Sequence, residues 1–501
     1  MVTAGFQPAT VGTVRMRPLL AGVLASAVLA ACTVGPDYAR PSVPVPAAFV
    51  GATTGHAGTG DVVDDASGPA SASASTPASA AAPGPAPRPA DGAPPAFKTA
   101  ATAPGAGASA AALAADGAAI AASDVAFWHG FGDAQLTALV DAALTDNHDL
   151  RIALARYDRA NALLRSARFD QLPTVTASGE ASDSRGSADQ QPGASRAARD
   201  GESWRAGIDA SWELDLFGRI RRGVEAGRAD AEASASDLEA AQVAIAGEVA
   251  RTYLELRGLQ QRLQVARGNL DNQRDTQRLV AARRDAGRDS DFDLARVRAQ
   301  AESTAARIPA LEAQVAFATH RLGVLTGRTP DALVAVLAAA RPLPALPARI
   351  DAGTPGDLLR RRPDIAAAEG RLHAATARIG VATADLFPRF TLGGLIGSQA
   401  FDADALFERD SETRLVALGV DWSFLDIGRV RARIAATDAD AAAELARYEQ
   451  TVLLALEDTE NALARHARAR EEDAHLEQAA IDSARAAGYA RVRFDAGATG
   501  L

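Results

Sequence analysis

The chain has 501 residues, a formal net charge of −10, 23% charged residues, 5% aromatic residues and one cysteine. A single cysteine excludes a disulfide scaffold and any zinc site built from several cysteines. The acidic balance argues against nucleic acid as the main partner and fits an acidic protein surface equally well.

Arg15 and Arg17 precede an apolar run from Leu19 to Ala30 that closes on Leu29-Ala30-Ala31-Cys32. A basic start, a short apolar stretch and small residues at its end make residues 1–31 a secretory signal peptide, too short to span a bilayer. The Leu-Ala-Ala-Cys stretch resembles the lipobox of bacterial lipoproteins, which makes Cys32 the lipid-anchored first residue of the mature chain, and Thr33 fits outer-membrane sorting. The alternative is ordinary cleavage beside an incidental cysteine. In residues 32–50, Pro36, Pro41, Pro44 and Pro46 keep the backbone extended. Residues 51–122 are Ala, Gly, Ser, Pro and Thr with almost no large apolar side chains, the composition of a disordered tether.

Folded sequence starts near Ser123. Leu136, Leu139, Val140, Ala143 and Leu144 have helical spacing, and after Asn147 a second amphipathic helix carries Leu150, Leu154, Tyr157, Ala160 and Leu164 to about Phe169. At Pro173 the period changes from 3.6 to 2, and a polar loop over Asp183 to Glu202 separates two strands. The second strand alternates apolar Trp204, Ala206, Ile208, Ala210, Trp212, Leu214 and Leu216 with Arg205, Asp209, Ser211, Glu213 and Asp215. This is the pattern of a transmembrane β-strand, which needs about 9 to 11 residues with one lipid face and one lumen face. A long half-exposed strand of a soluble sheet is the competing reading.

From Arg221 to Asp285 the sequence is helical without a proline, a length of roughly 95 Å at 1.5 Å per residue. Asp285-Ala286-Gly287 ends this helix, Ser290 or Asp291 caps the next, and a returning helix from Phe292 to Leu325 should be bent or split by Pro309.

The pattern then repeats. Trp212 to Arg219 recurs as Trp422 to Arg429, an interval of 210 residues (422 − 212), while Pro173 and Pro388 stand 215 apart (388 − 173). The repeats are residues 123–345 and 346–501. The second contains a helix to about Leu386, a strand from Pro388, a loop over Phe401 to Ser411, a return strand through Val416, Leu418, Val420 and Trp422, and a long helix from Arg429 to Phe494. Asp495-Ala496-Gly497 repeats the turn at 285. The returning helix is expected to be missing from the second half, with truncation the expected reason.

Four strands cannot close a barrel alone, so several chains are expected to share one. The predicted fold class is mainly α with a small β part: an outer-membrane β-barrel shared by several chains, four strands per chain, continued by a periplasmic α-helical barrel, with two internal structural repeats; that the barrel is trimeric is what the family resemblance given next implies.

Several motifs in order carry a family resemblance: Cys32 to Tyr38, Phe127-Trp128 with Asp133 and Leu136, Asn147 to Leu150, Trp212 to Arg219, and Arg361 to Ile365. The chain resembles the outer-membrane factor lipoproteins of tripartite, RND-type efflux systems, the NodT-like branch of the TolC-type family. The resemblance implies a homotrimer with a twelve-stranded barrel. It also implies docking to a periplasmic membrane-fusion adaptor and an inner-membrane RND proton-driven transporter, and export of drugs and other small molecules across the outer membrane.

The resemblance places the family's gate and adaptor contact at Asp285, Gly287, Asp289, Asp291, Asp293, Asp495 and Gly497, of which Asp285, Asp289, Asp291 and Asp293 are expected to form an acidic ring that attracts cations or pairs with arginines; for any single Asp, a solvated capped turn is the simpler reading. Asp209, Glu213, Asp215 and Asp421 are the expected lumen residues. No cofactor or metal is expected. The seven histidines show no ligand spacing, and no phosphate loop or nucleophile elbow is present, so an enzyme is not expected. A periplasmic coiled coil, a conduit for type I protein secretion and a non-functional truncated member are the alternatives.

Overall fold

The computed structural model describes residues 33–49, 127–345 and 354–497. Cys32, the signal peptide and the 51–122 tether lie outside the described residues. Those described fall into two units, one of residues 33–49, 133–345 and 354–465, the other of 127–132 and 466–497.

In the larger unit, α1 (Ala134–Asp146) starts where the Asp133 carboxylate accepts from the amides of Gln135 and Leu136 at 2.8 and 3.1 Å. It buries Leu136, Leu139, Val140 and Ala143, four of the positions that helical spacing assigns to one face. Asn147 caps α2 (His148–Phe169) in the same way, and its Nδ2 donates to Leu325 O at 2.9 Å. This one side chain starts a helix and ties it to the end of a distant one.

β1 (Thr174–Arg185) and β2 (Asp200–Leu214) form a hairpin. The loop is shorter than the sequence predicts, because the ladder runs on to Arg185 opposite Asp200, where the two side chains pair at 2.8 Å. At its other end β2 stops at Leu214 instead of Leu216. There Asp215 leaves the ladder and accepts from the amides of Ile220 and Arg221 at 3.1 and 2.9 Å, satisfying the first turn of α3 (Arg219–Asp285).

α3 has 67 residues, about 100 Å at 1.5 Å per residue. After it come α4 (Asp291–Ala305), opened by a Ser290–Asp293 capping box, and α5 (Arg307–Leu325). The split at Ala306 places Pro309 in the first turn of α5, where its missing N–H breaks no helical bond, as the sequence requires. Short α6 (Val334–Leu337) and α7 (Pro355–Arg361) precede α8 (Pro363–Ala384), which ends two residues before the expected Leu386. β3 (Arg389–Ala400), β4 (Glu412–Asp421) and the 69-residue α9 (Ile427–Asp495) follow in the second repeat.

The four strands form one antiparallel sheet in the order β1-β2-β3-β4, so the two hairpins join at β2–β3. The helices follow the same order. Leu164 of α2 packs on Val224 and Ala231 of α3. Next, α8 lies along α3, with Gly370 at the crossing, where an added Cβ would sit 3.0 Å from Ala233 Cβ and 3.2 Å from Ala229 O. Ile365, Ala368 and Leu372 of α8 then pack on Tyr448, Val452 and Ala455 of α9. The larger unit is therefore a helical wall, α2-α3-α8-α9, continuous with a four-stranded sheet.

In the smaller unit, the rings of Phe127, Trp128 and Phe131 stack or meet edge-on with centroids 5.0 to 5.9 Å apart. The last part of α9 ends in a turn at Gly497 with φ 68°, matching φ 72° at Gly287. Only glycine adopts this left-handed conformation at little cost.

Candidate channel wall and tip turns

Directly opposed residues of an antiparallel ladder lie on one side of the sheet. One side holds the rows Val175–Ala210–Gly394–Val416, Trp212–Leu392–Leu418 and Leu214–Phe390–Val420. The other holds Thr174–Ser211–Gly393–Ala417, Thr176–Asp209–Leu395–Leu415 and, at its end, Arg389–Asp421. The first side is apolar over these three rows; the next two, Ala177–Ile208–Ile396–Arg414 and Gly179–Ala206–Ser398–Glu412, stay apolar on β2 but carry Ser398 on β3 and Arg414 and Glu412 on β4. The second side is mostly small and polar, interrupted by Leu395 and Leu415. Among the described residues nothing covers the apolar side: Val416 is 82% exposed, Val175 64% and Ile396 60%. From Trp204 to Leu214 this side rises about 33 Å along the strand, or about 25 Å at a tilt of about 40°, the height of the lipid-facing band of an outer-membrane barrel.

The helix-side end of the band carries a repeated device. Trp212 Nε1 donates to Gln171 O at 3.1 Å and Trp422 Nε1 to Leu386 O at 3.0 Å, the equivalent carbonyl 215 residues on (386 − 171). Each indole thus keeps its ring in the apolar band while its N–H fixes the preceding helix end, the placement of an interfacial aromatic. Phe217 and Phe387 stack at 4.6 Å and join the two repeats at this level.

The predicted lumen acids have different surroundings. Asp209 accepts from Ser178 Oγ at 3.2 Å on the polar side. Asp421 sits opposite Arg389. Glu213 is paired to Arg219 at 2.6 Å, and Asp215, beyond the end of β2, is paired to Arg221 at 3.2 Å. Asp215 is therefore a helix-start residue and not a strand residue.

The Gly-Pro-Asp-Tyr stretch docks on the wall. Val34 N donates to Phe217 O at 3.2 Å, and Gly35, at φ 92°, lies so close to Gly380 that a side chain would fall on its backbone. Arg222, 4% exposed, pairs with Asp37 and with Glu225 at 2.8 Å. Tyr38 stacks on His373 at 4.5 Å, its hydroxyl donates to Glu369 at 3.2 Å, and Arg40 pairs with Glu369 at 2.8 Å. Burial and the Glu369 carboxylate push the Tyr38 hydroxyl well above its ordinary range. Burial opposes ionisation of Glu225, but hydrogen bonds from His373 and Arg222 outweigh it and hold the carboxyl below its usual range.

At the tip, Asp285 pairs with Arg284 at 2.6 Å, Asp289 with Arg283 at 3.0 Å and Asp291 with Arg284 at 3.4 Å. Asp293 accepts from Ser290 Oγ at 2.6 Å, which keeps its carboxyl below the ordinary range. Within one chain these acids form a capped, internally paired turn. The second turn, with Asp495 and Gly497, lies in the smaller unit. Among the described residues no group of three His, Cys, Asp or Glu could hold a metal ion. No helix there is long and apolar enough to cross a membrane.

A family model described as "Outer membrane efflux protein" matches residues 139–328 and 354–501. The chain belongs to the outer membrane efflux protein family. Nodulation protein T of Rhizobium leguminosarum bv. trifolii is 33% identical over 349 residues, covering 68% of this chain and 72% of that protein. The pyoverdine export outer membrane protein OpmQ of Pseudomonas putida is 34% identical over 343 residues, covering 68% and 72%. The solved outer-membrane channel OprN is 41% identical with a TM-score of 0.70, covering 75% of this chain and 83% of that one.

This outer membrane efflux protein is a channel component, and its exposed apolar sheet is the membrane-spanning part that such a channel needs. Two functional features escaped sequence reasoning. The docking of residues 33–49 had a signal in the motif spacing but none for its site on α3 and α8. Arg257 of α3, wholly buried, donates to Ala339 O at 2.9 Å and Gln260 Oε1 at 2.6 Å, lies 4.9 Å over the Tyr253 ring, and looks in the sequence like any solvent-facing arginine of a long helix.

Proposed function

We propose that three copies of this chain close one barrel and form the outer-membrane conduit of a tripartite pump for small molecules. The observation that carries this is the sheet with two open edges. Among the described residues β1 and β4 each have a ladder partner on one side only. Unpaired backbone groups facing lipid cost several kcal/mol each, and bacterial barrels begin at about eight strands, so the edges must pair between chains. Pairing β4 of one copy with β1 of the next gives a closed ring without edges and sets α9 beside α2 of the neighbour.

Cys32 carries the lipid anchor, and the docked Thr33–Tyr38 stretch holds that anchor at the sheet–helix junction. Asp209 and Asp421 tune conductance inside the barrel, while Glu213 and Asp215 form ion pairs with Arg219 and Arg221 where barrel meets tunnel. The turns at Asp285, Gly287, Asp289, Asp291 and Asp293, and at Asp495 and Gly497, are the gate and the contact to a periplasmic adaptor, behind which an RND-type inner-membrane transporter supplies cargo. The protein acts as a conduit and not as a catalyst. The pyoverdine-exporting relative supports a small-molecule cargo.

The test is single-channel recording from the purified, acylated chain in planar bilayers, with its assembly size measured in detergent. Uniform pores from a trimer are expected; a monomer that never conducts would refute the proposal. Because Cys32 is the single cysteine, loss of radiolabelled palmitate from Cys32→Ser tests the anchor directly.

A further inference from the structure

We propose that Arg156 and Arg159 of α2 form, with a cavity on the helical wall, a binding site for organic anions that have an apolar body. The cavity has a volume of about 910 Å³ and is lined from α2, α3, α8 and α9. In a wall ordered α2-α3-α8-α9, a single cavity reached by both outer helices lies on the concave side. A second observation agrees. On α8, Arg371, Ala375 and Arg378 line the cavity, whereas Glu369, His373 and Gly380 meet the N-terminal segment, about half a turn away on the helix. That segment leads back to Cys32, whose anchor belongs outside the barrel. The cavity therefore opens to the lumen, a step that rests on the conduit reading above.

Most of the cavity's charges are already neutralised. Arg371 pairs with Asp237, Arg378 with Asp230 and Arg447 with Glu444. Arg156 and Arg159 line the same cavity, are exposed, and form no ion pair among the described residues. Asp440, on the far outer helix α9, is the one lining carboxylate without an ion pair among the described residues. Two free guanidinium groups thus face one free acid, and threefold repetition makes a cationic band in the tunnel.

The two arginines stand three residues apart on one helix face, an arrangement that disfavours the helix by like-charge repulsion. Among the described residues neither arginine forms an ion pair that would relieve it. Beside them Ala160, Leu163, Ala233 and Ala375 give the cavity an apolar floor. Guanidinium forks above an apolar floor suit a sulfonate or carboxylate carried on a hydrocarbon or aromatic body.

The probe is 1,5-naphthalenedisulfonate. It should reduce single-channel current in a dose-dependent way and bind the detergent-solubilised full chain in calorimetry. The double variant Arg156→Gln/Arg159→Gln should weaken both by at least about tenfold, the scale expected for losing charge-assisted hydrogen bonds. Arg151→Gln/Arg168→Gln removes the same charge from α2 away from the cavity and should leave both unchanged. Equal loss in the two double variants, or no loss in the first, would overturn the site and leave the conduit standing. Arginine-dependent binding by a chain that never conducts would sink the conduit and leave the site.

Discussion

An arginine placed at Ala210 should be far more damaging than one placed at Ser211, although the two are neighbours on one strand. Ala210 stands opposite Val175 and Gly394 on the apolar side, whereas Ser211 stands opposite Thr174 and Gly393 on the polar side. Ala210 lies within one residue of the middle of the Trp204–Leu214 band, so its side chain would enter lipid about 2 to 3 Å from the midplane. A cation there costs about 2–4 kcal/mol in an outer-membrane barrel. At about 1.4 kcal/mol per decade this shifts the folded-to-unfolded ratio of each chain by about 30- to 700-fold, and a trimer carries the cost three times. The assay is reversible urea unfolding of the chain inserted in lipid vesicles, followed by tryptophan fluorescence. Ala210→Arg should lower the midpoint well below that of the parent, and Ser211→Arg should move it little while changing conductance. If the two variants lose equal stability, or Ser211→Arg loses more, the assignment of faces is wrong.

Other outcomes follow from the same structure. Gly35→Ala forces a side chain into the left-handed region, at about 1–2 kcal/mol, and onto the Gly380 backbone; residues 33–49 should undock, seen as faster chymotryptic cleavage after Tyr38. Arg257→Met leaves Ala339 O and Gln260 Oε1 without their donor and should cost about 3–5 kcal/mol in unfolding experiments, with the α1 region exchanging amide hydrogens faster. The Glu225 carboxyl is held below its unfolded value, so its contribution to docking is complete above about pH 4.3 and is lost as pH falls through the lower folded value. Chymotryptic protection of Tyr38 should be flat from pH 7 to about 5 and should fall below about 4. Trp212→Phe and Trp422→Phe keep an aromatic ring in the band and remove hydrogen bonds worth about 1 kcal/mol each, and equal losses in the two repeats are expected.

Much of the fold could be read because it is written in periodicity. The change at Pro173 from Leu150, Leu154 and Leu164 to an alternating run marks the helix–strand border, and Pro309 marks the α4–α5 break. Polarity also placed Asp209 and Glu213 on one side of β2. What alternation does not carry is the identity of a partner six or more residues away. Glu213 finds Arg219 and Asp215 finds Arg221 only because the chain turns at Gly218, φ 82°, and brings the start of α3 back beside the strand end. Burial of Arg222 and Arg257 is equally hidden, since it depends on segments that are 185 and 82 residues distant in sequence.

The β2–β3 ladder has a consequence for how the ring is made. It joins the two hairpins over 11 opposed pairs, and both hairpins are strand pairs of one repeated unit. A barrel of six such hairpins, built from separate half-length chains, would need six bodies to meet, and every seam would compete with open dimers and tetramers. Because every second seam is formed within a chain, where the hairpins see each other at an effective concentration far above that of free partners, ring closure falls to a third-order process. Assembly yield should therefore rise with the cube of chain concentration at high dilution, and a cut in the linker between the halves should raise that order without altering any contact in the finished barrel.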